Sequence, residues 1–565
     1  MDQGTRYGKA AAPKVGRRLA AAALAGLLAL GAVGCNAPAA SGAADGQGSS
    51  QAAEQAAAMD FEYTDRDLDA SYDEAAATVL DLAVGAVSGS GASYDAAEGL
   101  FTVQQEGTYL LRGKGDGVQV KVSLGDQEKA QLVLDGAMLS ADDRPALYVE
   151  EADKVFVTLA EGSQNSIAGG QADNEAGDAL NGAVYSKADI TFNGSGALAV
   201  RAKAADCHGI ASKDDLVITG GTYEVSATKN GLHGKDCVKI RDGAFTIQAG
   251  NDAVKSSNQE EADRGFIAID GGTLVVTGCE EGYEAREIYL NGGSSTITAS
   301  DDAVNASASE NTSGRECLIQ VNGGELTVYA GGDGIDSNGS LEVNGGTVLV
   351  SGPASAADGA LDYEGQATVN GGTVLAVGPA GMACGFTGGT QGSALVDFQG
   401  AAGQPVTLSA ADGTVLAEFT PANAYQTAVV SSPELAVGAS FTLASGSSSV
   451  QGTVAETSPG MGGGPGGMGG MSGGPGREGG APSDGSTPPQ GFDGGRGKDG
   501  RSEGAPQPPD GAGEGAPEPP EGFDGAEPPQ PPSGDGDSSA PQPPDWDGGN
   551  RGSTQAALPG ESLQA

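Results

Sequence analysis

Residues 267–276 read Ile-Ala-Ile-Asp-Gly-Gly-Thr-Leu-Val-Val, and this stretch decides the fold because close copies of it return along the chain. Residues 216–225 and 341–350 repeat the pattern of alternating apolar residues around a central glycine pair. Looser copies extend the series, and the corresponding glycines of the copies are Gly196, Gly221, Gly243, Gly272, Gly293, Gly324, Gly346 and Gly372. Their spacing of 21 to 31 residues is typical of stacked solenoid repeats.

The repeat predicts an all-β fold, a right-handed parallel β-helix. Alternation on both sides of the glycine pair indicates two short strands with one inward face, and such strands are stable only when successive copies stack. No sustained 3.6-residue periodicity supports helical repeats, and propeller blades need about 40 residues. We therefore expect an N-terminal segment and the parallel β-helix over residues 58–395, followed by a small β-rich cap over residues 396–455.

Both ends of the chain differ in composition from the repeat region. Residues 1–35 combine a basic start with an apolar run that ends in Gly34-Cys35, which is typical of a lipoprotein signal peptide with lipidation at Cys35. Ordinary signal cleavage is the alternative, and either process exports the protein. We expect a flexible linker over residues 36–57, anchoring to the cell membrane in an extracellular location, and a disordered, acidic Gly/Pro-rich tail over residues 456–565.

The composition excludes some partners and chemistries. A formal net charge of −46 argues against nucleic acid, which selects basic surfaces. The cysteines after Cys35 form no CxxC pair, so zinc-ribbon and thioredoxin-like sites have little support. We expect most of them to be small buried residues that fill layers of the solenoid. The oligomeric state stays open.

A second repeated position lies between the glycine pairs and is mostly acidic. It contains Asp252, Glu281, Asp302 and Asp333, with a shifted copy at Asp358. In-register stacking would place equivalent residues about 4.8 Å apart, so the carboxylates would raise one another's pKa values or recruit cations. Ca²⁺ binds about six to eight oxygens, and the predicted calcium ligands are Asp252, Asp302, Asp333, Asp336 and Asp358. The alternative is a solvated acidic turn in which Asp favours the bend.

The order of several motifs resembles a known family. The motifs are residues 67–73, 132–136, 153–155 and 159–163, together with the Asp-Gly-Ile-type turns and the Gly/Met/Pro-rich tail. Over roughly residues 58–450 they resemble secreted bacterial carbohydrate-binding proteins, which are right-handed β-helices similar to pectate-type polysaccharide lyases. The resemblance implies polysaccharide binding with bound calcium. Carried over residue by residue, it points to Asp252, Asp302, Asp333 and Asp358.

Three functions compete. The leading hypothesis is a calcium-dependent cell-surface lipoprotein that binds plant or microbial polysaccharides. Aromatic platforms for sugars are few, and of the candidates Tyr185, Tyr223, Tyr283 and Tyr363 some must lie in the core. The second is a calcium-dependent, pectate-type polysaccharide lyase with Lys255 as its base, although neighbouring carboxylates would raise the pKa of Lys255 and oppose that role. The third is a structural or adhesive surface solenoid. We expect binding rather than catalysis, and we assign no catalytic residue.

Overall fold

The computed structural model describes residues 59–173, 177, 179–308 and 314–460. Cys35, the signal peptide over residues 1–35, the linker over residues 36–57 and the tail beyond residue 460 lie outside the described residues and stay predictions. The packed chain continues past the expected boundary at residue 455. The backbone N–H of Ser458 donates to the carbonyl of Phe386 at 2.8 Å.

The described chain is almost entirely β-structure. Its N-terminal part contains α1 (Asp65–Leu68), β1 (Thr78–Asp81), β2 (Ala86–Ser88), β3 (Ala92–Asp95), β4 (Leu100–Val103), β5 (Gly107–Asp116), β6 (Gln119–Ser123), β7 (Lys129–Ser140), β8 (Leu147–Glu151), β9 (Lys154–Leu159), β10 (Gln164–Gly169), β11 (Gln171–Asp173) and β12 (Ala179–Ser186). The region of the glycine pairs contains β13 (Asp189–Gly194), β14 (Ala197–Ala202), β15 (His208–Ser212), β16 (Asp215–Ile218), β17 (Thr222–Ser226), β18 (Leu232–Gly234), β19 (Cys237–Ile240), β20 (Ala244–Gln248), β21 (Val254–Ser256), β22 (Phe266–Ile269), β23 (Thr273–Cys279), β24 (Tyr283–Ala285), β25 (Glu287–Leu290), β26 (Ser294–Ala299), β27 (Val304–Ala306), β28 (Leu318–Val321), β29 (Glu325–Tyr329), β30 (Ile335–Ser337), β31 (Ser340–Val343), β32 (Thr347–Ser351), β33 (Leu361–Tyr363), β34 (Ala367–Val369) and β35 (Thr373–Gly378). The C-terminal part contains β36 (Ser393–Gly400), β37 (Val406–Ala410), β38 (Val415–Phe419), β39 (Tyr425–Ser431), β40 (Ser440–Ser445) and β41 (Ser448–Thr453).

Within the described residues these strands form three sheets, of 24, 13 and 4 strands. In the largest sheet, parallel pairs join each strand to its equivalent one repeat later, as β22 joins β25 and β25 joins β28. In the 13-stranded sheet, the strands that lie between successive glycine-pair units stack in the same way, from β12 to β33. This solenoid-like arrangement of parallel strands confirms the all-β prediction, and each repeat forms one coil of the stack.

The core of the stack consists of columns of inward apolar residues. One column runs in register through Leu216, Val238, Ile267, Ile288, Ile319, Leu341 and Ala367, and each of these side chains is completely buried. Burial of one such branched aliphatic side chain contributes roughly 1.5–3 kcal/mol. Because each side chain is covered by those of the coils before and after it, stability is shared between neighbours rather than held by single repeats.

The glycine pairs form the bends between β22 and β23 and between their equivalents. The second glycine of the pair has a positive φ in every coil from Gly272 to Gly372, a conformation that other residues adopt at a cost. The asparagines that precede four of these pairs form a ladder, in which the side-chain amide of each donates to the side-chain oxygen of the previous one at 2.8–2.9 Å. Its members are Asn291, Asn322, Asn344 and Asn370.

The C-terminal strands end the parallel stacking. Strand β39 pairs antiparallel with both β35 and β36, and β37, β38, β40 and β41 form the four-stranded antiparallel sheet. A second hydrophobic cluster joins Phe398, Phe419 and Phe441 of these strands to Leu349 and Leu375 on the last coils. The C-terminal strands therefore cover apolar side chains that would otherwise face water.

Residues 59–72 form an N-terminal strap across the outer face of the largest sheet. At one end the ring of Phe61 packs against Phe266 and Tyr289, with ring centroids 5.0 and 4.9 Å away. Further along, the buried carboxylate of Asp67 pairs with Lys154 Nζ at 2.7 Å. The strap thus contacts coils that are separated by more than 100 residues in the sequence, and the repeat pattern gives no sign of it.

The described cysteines are all free thiols. Cys207, Cys237, Cys279 and Cys317 are buried and Cys384 is partly exposed, which confirms the expectation that most of them fill the interior. Of the helices in the described residues, none is long and apolar enough to cross a membrane.

Substitution at Gly324 tests the packing of the bends. A Cβ at this position would lie 2.5 Å from the carbonyl oxygen of Gly293 in the previous coil, in a residue with φ +76°. At Gly136, φ is +72° but a Cβ would meet nothing within 4 Å. We expect Gly136→Ala to lower the free energy of unfolding by roughly 1–2 kcal/mol, the conformational cost alone. Gly324→Ala should lower the free energy of unfolding by about 1–3 kcal/mol more than Gly136→Ala does, because its Cβ would contact the carbonyl oxygen of Gly293.

Urea-induced unfolding followed by circular dichroism measures both changes. Equal losses in the two variants would contradict close backbone packing at the bends.

Candidate functional site

The candidate site lies on the outer side of the 13-stranded sheet, where β18, β21, β24, β27, β30 and β33 stack in register. The first and third residues of most of these short strands are buried, whereas the middle residue is more exposed. These middle residues form the outward column, which consists of His233, Lys255, Glu284, Asn305, Asp336 and Asp362. Stacking therefore places neighbouring side chains of this column one strand spacing apart, about 4.8 Å.

A second column, the turn column, comes from the residue that lies two positions before each of these strands. Its backbone carbonyls accept hydrogen bonds from the N–H groups of the previous coil, as Ala253 donates to Glu281 at 2.9 Å and Ala303 donates to Asp333 at 3.1 Å. The members from β18 to β30 are Asn230, Asp252, Glu281, Asp302 and Asp333. Four of these five residues are acidic, and they stand on consecutive coils as the sequence predicts.

Asp302, Asp333 and Asp336 form the aspartate trio. Their carboxylate oxygens lie within 4.8 Å of one another. The backbone N–H of Asp333 donates to Asp302 at 2.6 Å, and that of Gly359 donates to Asp333. In the described part of the chain, no lysine or arginine forms an ion pair with any of the three, so their negative charges are not balanced by a side chain.

The surroundings of the aspartate trio raise the pKa of each carboxyl group. Burial is the main cause for all three, and repulsion from neighbouring carboxylates adds to it, although backbone hydrogen bonds partly offset the effect. The pKa of Asp302 rises to about 6, and those of Asp333 and Asp336 rise to about 7. At neutral pH the trio therefore holds more negative charge than its surroundings stabilise, and a cation would relieve this repulsion.

An amide oxygen lies beside the aspartate trio. Asn305 pairs in register with Asp336, and its Nδ2 donates to Glu281 at 3.1 Å. Its Oδ1 is buried and has no hydrogen-bond partner among the described residues. A buried acceptor without a donor is unusual in folded proteins, and a metal ion is one of the groups that can satisfy it.

Asp252, Glu281 and Glu284 form a second group, the lysine-bound trio, whose oxygens also lie within 4.8 Å of one another. Here Lys255 Nζ lies 2.9 Å from Asp252 and also contacts Glu284. Burial and the neighbouring carboxylate of Glu284 raise the pKa of Asp252 to about 6. Burial, followed by the carboxylates of Glu284 and Asp252, raises the pKa of Glu281 to about 8. Lys255 supplies a fixed positive charge that the aspartate trio lacks.

Lys255 does not have the electrostatics of a general base. Burial lowers its pKa, but Asp252 and Glu284 outweigh burial, and the net pKa lies above the ordinary lysine value. This confirms the expectation that neighbouring carboxylates raise the pKa of Lys255. The amine therefore stays protonated at neutral pH and has no lone pair with which to accept a proton.

The columns differ from the sequence prediction at their last member. The turn column continues at Gly359, whose carbonyl accepts from the N–H of Gly334 at 3.1 Å, and Asp358 lies one residue outside the column. Asp358 belongs to neither trio. Instead Asp362 faces Asp336 in register, and its charge adds to the raised pKa of Asp336. The signal for Asp362 was its position directly after the apolar Leu361, as Asp336 follows Ile335.

The four tyrosines proposed as sugar platforms are not exposed rings. Tyr223 and Tyr283 lie in the hydrophobic core, and Tyr185 is buried in a small cluster with Tyr148. Tyr363 is half-buried, and its hydroxyl donates to the carbonyl of Gly385 at 2.5 Å. Carbohydrate contacts on this side of the stack would therefore depend on the polar columns rather than on stacking against these four rings.

Known proteins resemble parts of this chain. A family model described as "Carbohydrate-binding domain-containing protein" matches residues 97–359, which include both trios. A protein with the same description from Acetivibrio thermocellus is 30% identical over 193 residues, 34% of this chain and 67% of the relative. Among solved structures, a polysaccharide lyase-like protein from C. thermocellum, a gadolinium derivative, is 26% identical and covers 52% of this chain and 95% of its own, with a TM-score of 0.36.

The raised pKa values predict how stability depends on pH when divalent cations are absent. Carboxyls of the unfolded chain ionise near pH 4, whereas Asp333 and Asp336 do so near 7 and Glu281 near 8 in the folded chain. Between about pH 4 and pH 8 the folded state therefore binds more protons, and stability falls as the pH rises. Urea unfolding in the presence of a chelator should show this decline.

Asp336→Asn should make the decline shallower, by up to about 1.4 kcal/mol per pH unit between pH 5 and pH 6 and by about half of that near pH 7, because the proton of Asp336 no longer titrates. Asp126→Asn changes an exposed turn and is the matched control, for which we expect the wild-type slope. A free energy of unfolding that rises from pH 5 to pH 8 in the chelated wild type would contradict the electrostatics of both trios.

Proposed function

The chain belongs to the carbohydrate-binding domain-containing family, and from this premise we propose that it binds a polysaccharide along its acidic columns, through Ca²⁺ held by the aspartate trio. The observation that carries the proposal is the cluster of Asp302, Asp333 and Asp336, whose oxygens lie within 4.8 Å of one another without a basic partner in the described chain. The family assigns the ligand class, and the cluster supplies the calcium-dependent part of the proposal.

The donor set around the aspartate trio suits calcium. Ca²⁺ prefers carboxylate and amide oxygens, and Asp302, Asp333, Asp336, Asp362 and the unpaired Oδ1 of Asn305 are all of these types. Polysaccharide hydroxyl or carboxylate oxygens could complete the coordination. Because the columns repeat along the stack and a polysaccharide repeats along its chain, weak contacts of this kind would add up over several sugar units.

The other predicted calcium ligands contribute less in this proposal. Asp252 is already neutralised by Lys255 at 2.9 Å, so the lysine-bound trio should hold a metal ion more weakly than the aspartate trio. Asp358, which stands one residue outside the turn column, is replaced in the proposed ligand set by Asp362.

We propose the following setting for this binding domain. The coils wind as a right-handed parallel β-helix, and the C-terminal strands act as its cap by ending the exposed stack. Lipidation at Cys35 anchors the protein to the outside of the cell membrane, with residues 36–57 as the linker. The packing of Phe398 and Phe441 against Leu375 supports the cap.

Retention on insoluble polysaccharides tests the proposal. The full chain is mixed with a panel of plant and microbial polysaccharides, with Ca²⁺ or with chelator, and the bound fraction is measured. We expect retention by at least one polysaccharide, with loss on chelation. Asp333→Asn and Asp336→Asn should each weaken Ca²⁺ binding in a calorimetric titration by at least about tenfold, since the number of charged ligands tunes calcium affinity.

Asp126→Asn, the exposed-turn variant, should match the wild type in both measurements. Retention that survives chelation would remove calcium from the proposal and leave glycan binding. A chain that no polysaccharide retains, with or without Ca²⁺, would overturn glycan binding and favour the structural or adhesive solenoid.

Incubation with polygalacturonate and Ca²⁺ separates binding from lyase activity. The protonated state of Lys255 leads us to expect no rise in ultraviolet absorbance from unsaturated products. Product formation by the wild type that Lys255→Ala abolishes would establish the lyase alternative instead.

A further inference from the structure

The same three positions that form the two carboxylate trios are occupied earlier in the stack by His208, Asn230 and His233. The N–H of Gly209 donates to the carbonyl of Asn230 at 3.0 Å, so His208 and Asn230 are successive members of the turn column. His233 belongs to the outward column, one coil before Lys255. We name these residues the imidazole trio, and they include both histidines of the chain.

The imidazole trio contains two buried polar atoms that lack partners. His208 and Asn230 are only 4% and 3% exposed, and neither Nδ1 of His208 nor Oδ1 of Asn230 has a hydrogen-bond partner in the described chain. The two imidazole rings are in contact, with centroids 4.8 Å apart. Buried atoms of this kind are almost always satisfied, and a small species bound by the trio would supply a partner for both of them.

The charges around the trio discriminate between candidate ions. Burial lowers the pKa of His208 to about 3 and also lowers that of His233, so burial favours the neutral imidazole at both positions. Neutral imidazole offers a nitrogen lone pair, the donor that zinc, nickel and copper ions prefer. Lys213, Lys229 and Lys255 lie close enough to contribute to the lowered pKa of His208.

Lys229 and Lys255 form ion pairs that offset their positive charges. Lys229 lies 3.0 Å from Asp206, and Lys255 lies 2.9 Å from Asp252. The trio itself has no carboxylate. The lack of a carboxylate disfavours Ca²⁺, which depends on negatively charged oxygen ligands, whereas binding through imidazole nitrogen depends much less on ligand charge.

We propose that His208, Asn230 and His233 form a site for one divalent transition-metal ion such as Zn²⁺ or Cu²⁺, held by the two imidazole rings and the amide oxygen of Asn230. His233 Nε2 lies 3.0 Å from the hydroxyl of Ser257, a contact that would orient the ring. This site is separate from the calcium site, and it does not depend on the proposed glycan binding.

Metal titration of the full, untagged chain tests the site. In excess Ca²⁺, added to compete with Zn²⁺ for the carboxylate trios, we expect one Zn²⁺ per chain by equilibrium dialysis with elemental analysis. His208→Gln and His233→Gln should each lower the Zn²⁺ affinity at least about tenfold, since even substitution of a residue that only hydrogen-bonds a metal ligand lowers metal affinity by about this much. Asp126→Asn, which changes an exposed turn, is the matched control and should keep wild-type Zn²⁺ affinity.

Spectroscopy of the wild type decides the question even if a histidine variant fails to fold. Because the chain has only two histidines, its imidazole carbon–proton NMR spectrum contains two sets of signals, and Zn²⁺ should shift both at one equivalent. Cu²⁺ should give an electron paramagnetic resonance spectrum with nitrogen hyperfine splitting. Imidazole signals that stay unchanged, or Zn²⁺ binding that persists in both histidine variants, would overturn the proposal.

Discussion

In-register parallel stacking is the constraint on which the rest of this structure depends. A short strand such as β25 cannot bury its apolar side chains alone; Ile288 is covered by Ile267 before it and Ile319 after it. A slip of one residue would turn this whole column towards water. The register that buries the interior therefore also determines which outward residues stand side by side, and the functional columns follow from the packing of the core.

The outward column changes chemistry along its length while the backbone stays the same. It begins with imidazole at His233, passes through the amine of Lys255, and ends with carboxylates at Asp336 and Asp362. In each of the three trios, one residue of the outward column lies beside two residues of the turn column. One backbone arrangement thus presents nitrogen donors, an internal ion pair and unpaired carboxylates in turn, and side-chain identity alone decides which cation each trio suits.

The sequence predicted much of the fold because glycine pairs and alternating apolar residues are local signals. It also placed Asp302 and Asp333 on neighbouring coils correctly. It placed Asp358 in the turn column incorrectly. Gly334 directly precedes Ile335, whereas one extra residue separates Gly359 from Leu361, and only the pairing of Leu361 with Ile335 reveals this offset. Tyrosine platforms could not be assessed from the sequence, since the burial of a ring depends on contacts between coils. The strap was missed for the same reason, because nothing local to Asp67 indicates Lys154.

The strap also bears on the order in which the chain folds. The hydroxyl of Tyr63 donates to Asp270 at 2.7 Å, a contact across 207 residues of sequence, and Phe61 reaches Tyr289. These partners leave the ribosome long after the strap does, so the strap can dock only after the middle coils have been synthesised. Contacts with such large sequence separation slow folding. During synthesis the outer face around Phe266 therefore stays uncovered, and closure of the strap is expected to be a late step.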